Sequence, residues 1–507
     1  MIEMNVSRRW FIGGASSIGM LAGCRTVGSS AWFGVGTSPN LTFGVVSDVH
    51  VRLAANGKGL AGTHDCATLM HTLEWFRDQG VDAVMIVGDI ADKGMVAELE
   101  AVAATWQKVF PGSKAPDGRK VERVFVYGNH DWEGFRYGDS IKKLYPDKQE
   151  MARHILRTDM KGNWERIFDE PYEPVYRKDV NGYAFIGAHW QADRCRGCDE
   201  KAFDHVGDWF AANGKALDPS RPFFYCQHPH PKDTVYGSWA WGHDSGVTTK
   251  ALSAFPNAVA FSGHSHYSLT DERSIWQGAF TSLGTSSLRY TGMTYNQYPG
   301  VGYENTVGGE HDPFKTMKRY ESFDGRQGML VRVYDDCISF RRREFVQDRS
   351  LGDDWVMPLP SVEPKPFTFK GRASVEKDPE FDAHAALSVS KVRGKNRGGK
   401  PQHPKNAKAV PSVEKDAIRL EFPQAIAMRS TRPAEYELTF KPSQGEPLVR
   451  HVLANGFNQS VEDPRTKERQ VCTIALDQLP AAPFDIEVRA LSSLGRKSAP
   501  LVGKFKG

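Results

Sequence analysis

The sequence predicts an α/β domain followed by a smaller all-β domain. In the first part of the chain, apolar runs of strand length alternate with segments whose apolar residues recur at helical spacing. From about residue 370 onward, short segments alternate apolar and polar residues with period two, as half-buried strands do. The 507 residues suffice for two or three domains.

The composition is typical of a globular protein with little net charge. Hydrophobic residues make up 40% and charged residues 25% of the chain, and the mean hydropathy is −0.48. The formal net charge of +4 is small for this length. Nucleic-acid-binding domains usually present a strongly basic face. We therefore expect no nucleic-acid partner.

Residues 1–24 are predicted to be an export signal rather than part of the fold. Arg8-Arg9 ahead of Phe11-Ile12 resembles a twin-arginine signal. Leu21–Cys24 resembles a lipobox, in which Cys24 receives lipid. The apolar run between them is shorter than the ~20 residues of a membrane span. We expect an exported protein, periplasmic or on the cell surface, that contacts the membrane through a lipid anchor only. Residues 25–40 would form a tether.

Five predicted strands end in side chains that can bind metal. The strands span 41–47, 81–87, 121–125, 222–226 and 258–262, with helices predicted around 69–76 and over 95–110. Because sites in open α/β sheets form at the carboxyl ends of strands, we expect these side chains to lie close together. Residues two apart on a strand point the same way, so Asp48 and His50 should reach one metal from one edge. His264 and His266 have the same spacing. The side chains are Asp48 with His50, Asp89, Asn129 with His130, His228 or His230, and His264 with His266.

The order of these motifs, D-x-H, G-D-x-x-D, G-N-H-D, H and G-H-x-H, is similar to that of the calcineurin-like metallophosphoesterase family. The resemblance covers residues 41–346 and implies a four-layer αββα sandwich that holds two divalent metal ions. It implies that Asp48, His50 and His266 bind one ion, that Asn129, His228 and His264 bind the other, and that Asp89 bridges them. For the fourth motif His230 stays a candidate, and His228 is preferred because it is closer to the strand end.

The resemblance also implies roles for side chains around the metals. His130 would be the general acid, oriented by Asp92, while Asp131 would hold the loop. Lys93 occupies a position where some relatives carry a phosphate-binding arginine. Lysine can supply a positive charge there, but it cannot make the paired hydrogen bonds to phosphate that a guanidinium makes. A metal-bridging hydroxide would attack phosphorus in line. A ligand set of nitrogen and oxygen atoms without a thiolate suits Mn, Fe or Zn, and it does not determine which of these metals binds.

The expected activity is hydrolysis of a small-molecule or polymer phosphate ester, by a phosphodiesterase or a phosphatase. Trp239 and Trp241 follow the His228 motif, where they either stack on the leaving group or pack within the loop. Two other functions stay open. One is a non-catalytic, surface-binding lipoprotein on the same fold, and the other is a relative of nucleases.

The remainder of the chain is predicted to form a closing hairpin, a linker and a second domain. Residues 331–340 read as a hairpin, and the proline-rich segment 347–369 reads as a linker. Residues 370–507 are predicted to form a β-sandwich whose last strands resemble a fibronectin type III domain. Seven basic residues between Lys391 and Lys408 predict a flexible, solvated loop. The predicted strands are Ile418–Phe422, Glu435–Phe440, Val471–Leu476 and Phe484–Arg489.

Overall fold

The computed structural model describes residues 38–53, 66–191, 199–237, 242–294, 325–395, 414–426 and 432–507, with short strands inside 24–33 and 303–322. Trp239 and Trp241 lie outside the described residues, as do residues 1–23 and most of the basic segment after Lys395. The backbone of Cys24–Arg25 pairs antiparallel with Trp32–Phe33. Among the described helices, none is long and apolar enough to cross a membrane.

Two mixed sheets form the core of the first domain. The seven-stranded sheet has the order Arg349–Ser350, Cys337–Glu344, Gln327–Val333, Leu41–Val46, Ala83–Val87 and Glu122–Val126, and Trp355–Pro358 also pairs with Cys337–Glu344. The six-stranded sheet has the order Ile275–Gln277, Thr281–Gly284, Ala258–Ser262, Phe223–Cys226, Tyr183–Ala188 and Val175–Val180. Residues 349–350 and 355–358, within the predicted linker, therefore belong to the sheet.

Strand alternation explains why the sheets stack face to face. Phe43 and Val45 point into a core that they share with strands of the six-stranded sheet. Val46, next along the strand, points into a second core shared with helices. Phe43 packs on Phe185 and Phe224, with ring centroids 5.1 Å and 4.6 Å away. Both faces of each central strand are thus buried, which accounts for their near-continuous apolar sequences.

Helices cover the outer faces of the two sheets and complete the predicted four-layer α/β arrangement. In Ala67–Asp78, the buried residues Leu69, Leu73 and Phe76 recur at helical spacing and face the sheet. The helix Val96–Val109 packs beside it, and His205–Asn213 packs with Val247–Leu252 on the six-stranded sheet. The other described helices are Asn129–Glu133, Ser140–Leu144, Lys148–His154, Met160–Phe168 and Phe369–Val375.

The C-terminal part of the chain forms separate all-β sheets with their own core. One sheet has the order Thr316–Met317, Tyr303–Glu304, Leu448–Leu453, Glu435–Pro442, Phe484–Leu491 and Leu501–Phe505. Its pairings are antiparallel apart from the parallel contact of Tyr303 with His451. The other sheet contains Ser388–Lys395, Glu414–Phe422 and Gln470–Ala475. A short antiparallel pair, Thr291–Thr294 with Arg319–Ser322, precedes the strand Gln327–Val333 in the chain.

Replacing Phe43 by alanine should destabilise the first domain strongly, because the side chain is fully buried between the sheets. We expect the free energy of unfolding to fall by about 3–5 kcal/mol, from lost burial and from the cavity left behind. Chemical denaturation followed by tryptophan fluorescence measures the change. Val346→Ala, at a side chain that is 49% exposed, should change stability by less than about 0.5 kcal/mol. Equal effects of the two changes would contradict this packing.

Candidate metal centre

The ends of five parallel strands meet at one edge of the sandwich. Val46 is in register with Ile86, and Ile86 with Phe125, so three strands of the seven-stranded sheet end level with one another. Cys226 is in register with Phe261 in the six-stranded sheet. The polar side chains that follow all five strands consequently converge between the two sheets.

The first cluster consists of Asp48, His50 and His266. One nitrogen or oxygen atom from each lies within 4.8 Å of the others. The Nε2 atoms of His50 and His266 are 3.2 Å apart, and His266 Nε2 is 2.8 Å from Asp48 Oδ1. All three side chains are buried.

The second cluster consists of Asp89, His228 and His264, with atoms again within 4.8 Å of one another. His228 Nε2 lies 3.1 Å from Asp89 Oδ2 and 3.2 Å from His264 Nδ1. The two clusters touch, because His50 Nε2 is 3.6 Å from Asp89 Oδ2 and His228 Nε2 is 3.8 Å from Asp48 Oδ1. Asp89 therefore lies between them, where a bridging carboxylate is predicted.

The polar atoms of this centre fit a pair of divalent ions. Imidazole nitrogens and carboxylate oxygens converge, and no thiol belongs to either cluster. Asn129 Oδ1 is buried and has no hydrogen-bond partner among the described residues. The next residue, His130, donates its backbone N–H to Asp89 Oδ1 at 2.8 Å. Asn129 is thus next in sequence to a residue that contacts Asp89, and its side-chain oxygen is available to a ligand.

The structure separates the two candidate histidines of the fourth motif. His228 lies in the second cluster, and its Nδ1 is 2.8 Å from the backbone oxygen of Val87, which leaves Nε2 facing the centre. His230 has both ring nitrogens hydrogen-bonded to serines, to Ser262 Oγ and Ser265 Oγ at 2.7 Å each. Of the two histidines, His228 therefore lies in the cluster and His230 does not.

His130 is oriented by the backbone of Asp92, not by its carboxylate as predicted. His130 Nδ1 donates to the Asp92 backbone oxygen at 2.8 Å, whereas the nearer carboxylate oxygen is 4.0 Å away. The carboxylate turns instead towards His50 Nδ1, at 3.3 Å, and accepts a hydrogen bond from Arg289 Nη1. Asp92 thus supports His50 with its side chain and His130 with its main chain.

The backbone that presents the cluster residues is left-handed rather than extended. The first strand ends at Val46, so strand alternation is not what aligns Asp48 with His50, contrary to our prediction. Positive φ angles at residues other than glycine mark strained backbone that surrounding contacts must hold. Five cluster residues have them: Asp48 (51°), His50 (50°), Asp89 (49°), His264 (67°) and His266 (58°).

Asp131 holds the loops together, as predicted. Its carboxylate accepts hydrogen bonds from the backbone N–H groups of Gly128 at 2.8 Å, Ala91 at 2.8 Å and Ile90 at 3.2 Å. These bonds tie the turn after Asp89 to the start of the helix Asn129–Glu133. The G-N-H-D motif therefore opens a short helix, where a loop was expected.

Charges inside the centre stabilise one another. Burial alone would raise the pKa of Asp48, but His266 and His228 outweigh it and hold that pKa well below its usual range. Burial would likewise lower the pKa of His50, yet the neighbouring carboxylates of Asp48 and Asp92 raise it to about 9. Burial and the neighbouring His228 lower the pKa of His264 to about 3. Burial would also raise the pKa of Asp89, but His228 and His130 hold it below its usual range. Asp48 and Asp89 are thus ionised among histidines, so metal binding would displace protons.

Three cationic side chains lie beside Asp92: Lys93, which was predicted, and Arg52 and Arg289, which were not. Arg52 Nε and Lys93 Nζ lie 3.6 Å and 3.5 Å from Asp92 Oδ2. Lys93 also donates to the backbone oxygen of Tyr137 at 2.9 Å. Arg289 and the aromatic ring of Tyr290, whose centroid is 4.3 Å from that of His266, follow the strand Thr281–Gly284.

The strand Thr281–Gly284 is not among the strands predicted from the sequence. It pairs parallel with Ala258–Ser262, so its carboxyl end reaches the same edge. Phe280 and Leu283 are the only large apolar residues between Gln277 and Thr285, so neither an apolar run nor a regular alternation marks this strand.

Comparison with known proteins finds a family model that matches much of the first domain. Residues 41–268 match the family described as calcineurin-like phosphoesterase. No curated protein matches the sequence. Among solved structures, a dimetal phosphatase from Danio rerio is 11% identical with a TM-score of 0.34, and the match covers 63% of this chain and 99% of that one.

Two further solved structures are similar at comparable levels. A purple acid phosphatase, PPD1, from yellow lupin (Lupinus luteus) seeds is 13% identical with a TM-score of 0.35, covering 64% of this chain and 55% of that one. A 5′-nucleotidase precursor from Thermus thermophilus is 10% identical with a TM-score of 0.23, covering 66% and 57%. At these values the likeness says nothing about the substrate.

Gly88→Ala should damage the metal centre, because an added Cβ would lie 2.3 Å from His228 Nδ1. Gly118→Ala is the matched control, since Gly118 has the same φ of +84° but nothing within 4 Å of its Cβ position. Both changes should destabilise the fold by about 1–2 kcal/mol through left-handed strain. Metal content measured by mass spectrometry should fall in Gly88→Ala alone. Full metal content in Gly88→Ala would contradict the close approach to His228.

Proposed function

We propose that the protein, whose residues 41–268 match the calcineurin-like phosphoesterase family, hydrolyses phosphate esters with two bound divalent metal ions. The observation that supports this most directly is the contact between the two clusters. His50 Nε2 and Asp89 Oδ2, which belong to different clusters, are 3.6 Å apart. Two ions held by adjacent clusters could both face one phosphoryl group.

The ligand assignment follows the two clusters. Asp48, His50 and His266 would hold one ion, and His228, His264 and Asn129 the other, with Asp89 between them. When bound, the ions would supply Lewis acidity towards phosphoryl oxygens and lower the pKa of a water molecule. The protein keeps the ligand side chains buried and hydrogen-bonded, so their positions need little reorganisation during the reaction.

His130 would hold the proton for the departing oxygen. Its Nδ1–H donates to the backbone oxygen of Asp92, which leaves Nε2 as the ring atom that can carry a proton towards substrate. The ring also contacts that of His50, at 4.5 Å between centroids, and that of Tyr137, at 4.7 Å. These contacts orient the imidazole at the side of the first cluster.

Positive charge around Asp92 suits an anionic substrate. Arg52, Lys93 and Arg289 approach this single buried carboxylate. The side chain of Arg52 is 34% exposed. Such a group can contact a phosphoryl oxygen or a neighbouring anionic group of the ester.

Hydrolysis of bis(p-nitrophenyl) phosphate and of p-nitrophenyl phosphate, with Mn²⁺, Fe²⁺ or Zn²⁺ added, tests the proposal. The wild-type protein should turn over at least one of them. Asp89→Ala should abolish turnover because it removes a residue common to both ions. His130→Ala should lower kcat about 10²–10⁴-fold, with a larger loss for an alkyl ester, whose leaving oxygen needs the proton more.

His71→Ala provides the control, since His71 is half-exposed and pairs with Asp348 away from the centre. It should leave kcat unchanged. Absence of turnover by the wild-type protein with every metal would favour a non-catalytic, surface-binding role on this fold. Strongly salt-dependent binding of DNA by the wild-type protein would favour a nuclease relative.

A further inference from the structure

The C-terminal domain contacts the loop that follows the last pair of histidines. We define the histidine loop as residues 264–274, which contain His264 and His266. Gln327 is fully buried against this loop. Its side-chain oxygen accepts the backbone N–H of Leu269 at 2.7 Å, and its side-chain nitrogen donates to the backbone oxygen of Asn458 at 2.7 Å. One amide group thereby joins the histidine loop to the C-terminal domain.

A second buried hydrogen bond joins the same two segments. Thr270 Oγ1 donates to the backbone oxygen of Phe457 at 2.6 Å. The C-terminal partner is therefore the backbone of the turn 456–459. Buried Arg432 also contacts this turn, because it donates to the backbone oxygens of Gln459 at 2.7 Å and Gly456 at 3.0 Å. Residues 457–459 are buried, so the turn is a packed part of the structure and not an exposed loop.

Gln327 also reaches the other side of the first cluster through its main chain. Its backbone N–H donates to the backbone oxygen of Ser287 at 2.8 Å. Ser287 Oγ in turn donates to the backbone oxygen of Asp48 at 3.1 Å. The side chain of Gln327 thus contacts the histidine loop, which carries His266. Its backbone contacts Ser287, which in turn is hydrogen-bonded to Asp48.

We propose that Gln327 is a positioning residue for the cluster of Asp48, His50 and His266, and that the turn 456–459 of the C-terminal domain is a structural part of that metal site. This inference rests on the proposed two-metal function. The backbone of His266 is left-handed, with φ 58°, so it keeps its position only while its surroundings enforce it. The supporting contacts at Leu269 and Thr270 are nearer in sequence to His266 than to His264. Weakening them should therefore loosen the ion held by Asp48, His50 and His266 more than the ion held by the cluster that contains His264.

The test measures binding of Mn²⁺ to metal-free protein by calorimetry and by the metal retained after dialysis. Gln327→Ala and Thr270→Val should weaken one of the two binding steps about 10–100-fold, as loss of a residue that orients ligands usually does. Thr270→Ser keeps the hydroxyl and should bind both ions like the wild-type protein. If Gln327→Ala does not fold, the Thr270 pair decides the question.

Two control variants separate positioning from general destabilisation. Gln277→Ala removes another buried glutamine, which accepts from Phe367 and donates to Thr281 without contacting the cluster. Gln347→Ala removes a different hydrogen bond between the domains, to Asp463 at 2.8 Å. Both should keep both binding steps. Unchanged binding in Gln327→Ala and Thr270→Val would overturn the inference while leaving the two-metal site standing. No binding by the wild-type protein would overturn both proposals.

Discussion

The site depends on the burial of two carboxylates, Asp48 and Asp89, at the ends of neighbouring parallel strands. An unpaired buried charge is costly, so each must be surrounded by groups that favour its ionised form. Here histidines from both sheets surround them, and backbone N–H groups of His130 and His264 donate to them. When the two sheets pack over their common core, the polar side chains at the ends of the strands are brought together as well. The packing of the sheets therefore determines both the fold and the geometry of the site.

Close approach at this edge explains the strained backbone and the glycines beside it. An added Cβ at Gly128 would lie 2.3 Å from Asp89 Oδ1, and one at Gly263 would lie 1.8 Å from Ser47 Oγ. Asp48, His50, Asp89, His264 and His266 all have left-handed backbone conformations. These conformations allow residues close together in sequence to direct their side chains into the same centre. Strain of this kind persists only where packing determines the conformation. The supports at Asp131, Ser287 and Gln327 supply that packing.

Local sequence patterns were enough to predict the central strands, the order of the motifs that follow them, and the side chains that meet at the carboxyl ends of the strands. The apolar runs before Asp48 and Asp89 are buried on both faces, so their sequences signal strands without ambiguity. Contacts between segments that are distant in sequence leave no such pattern. The spacing and composition of the sequence therefore do not predict the hydrogen bond between the Asp92 carboxylate and Arg289, nor the hydrogen bonds by which Gln327 joins two domains. The strands at 349–350 and 355–358 were missed because proline-rich sequence suggested a linker, although the residues pair at the sheet edge.

Two adjacent clusters are proposed to bind one divalent ion each. Anomalous X-ray scattering from crystals of the full chain grown with Mn²⁺ tests this proposal. Two peaks are expected, one among Asp48, His50 and His266 and one among Asp89, His228 and His264. A single peak, or peaks only at other residues, would contradict it.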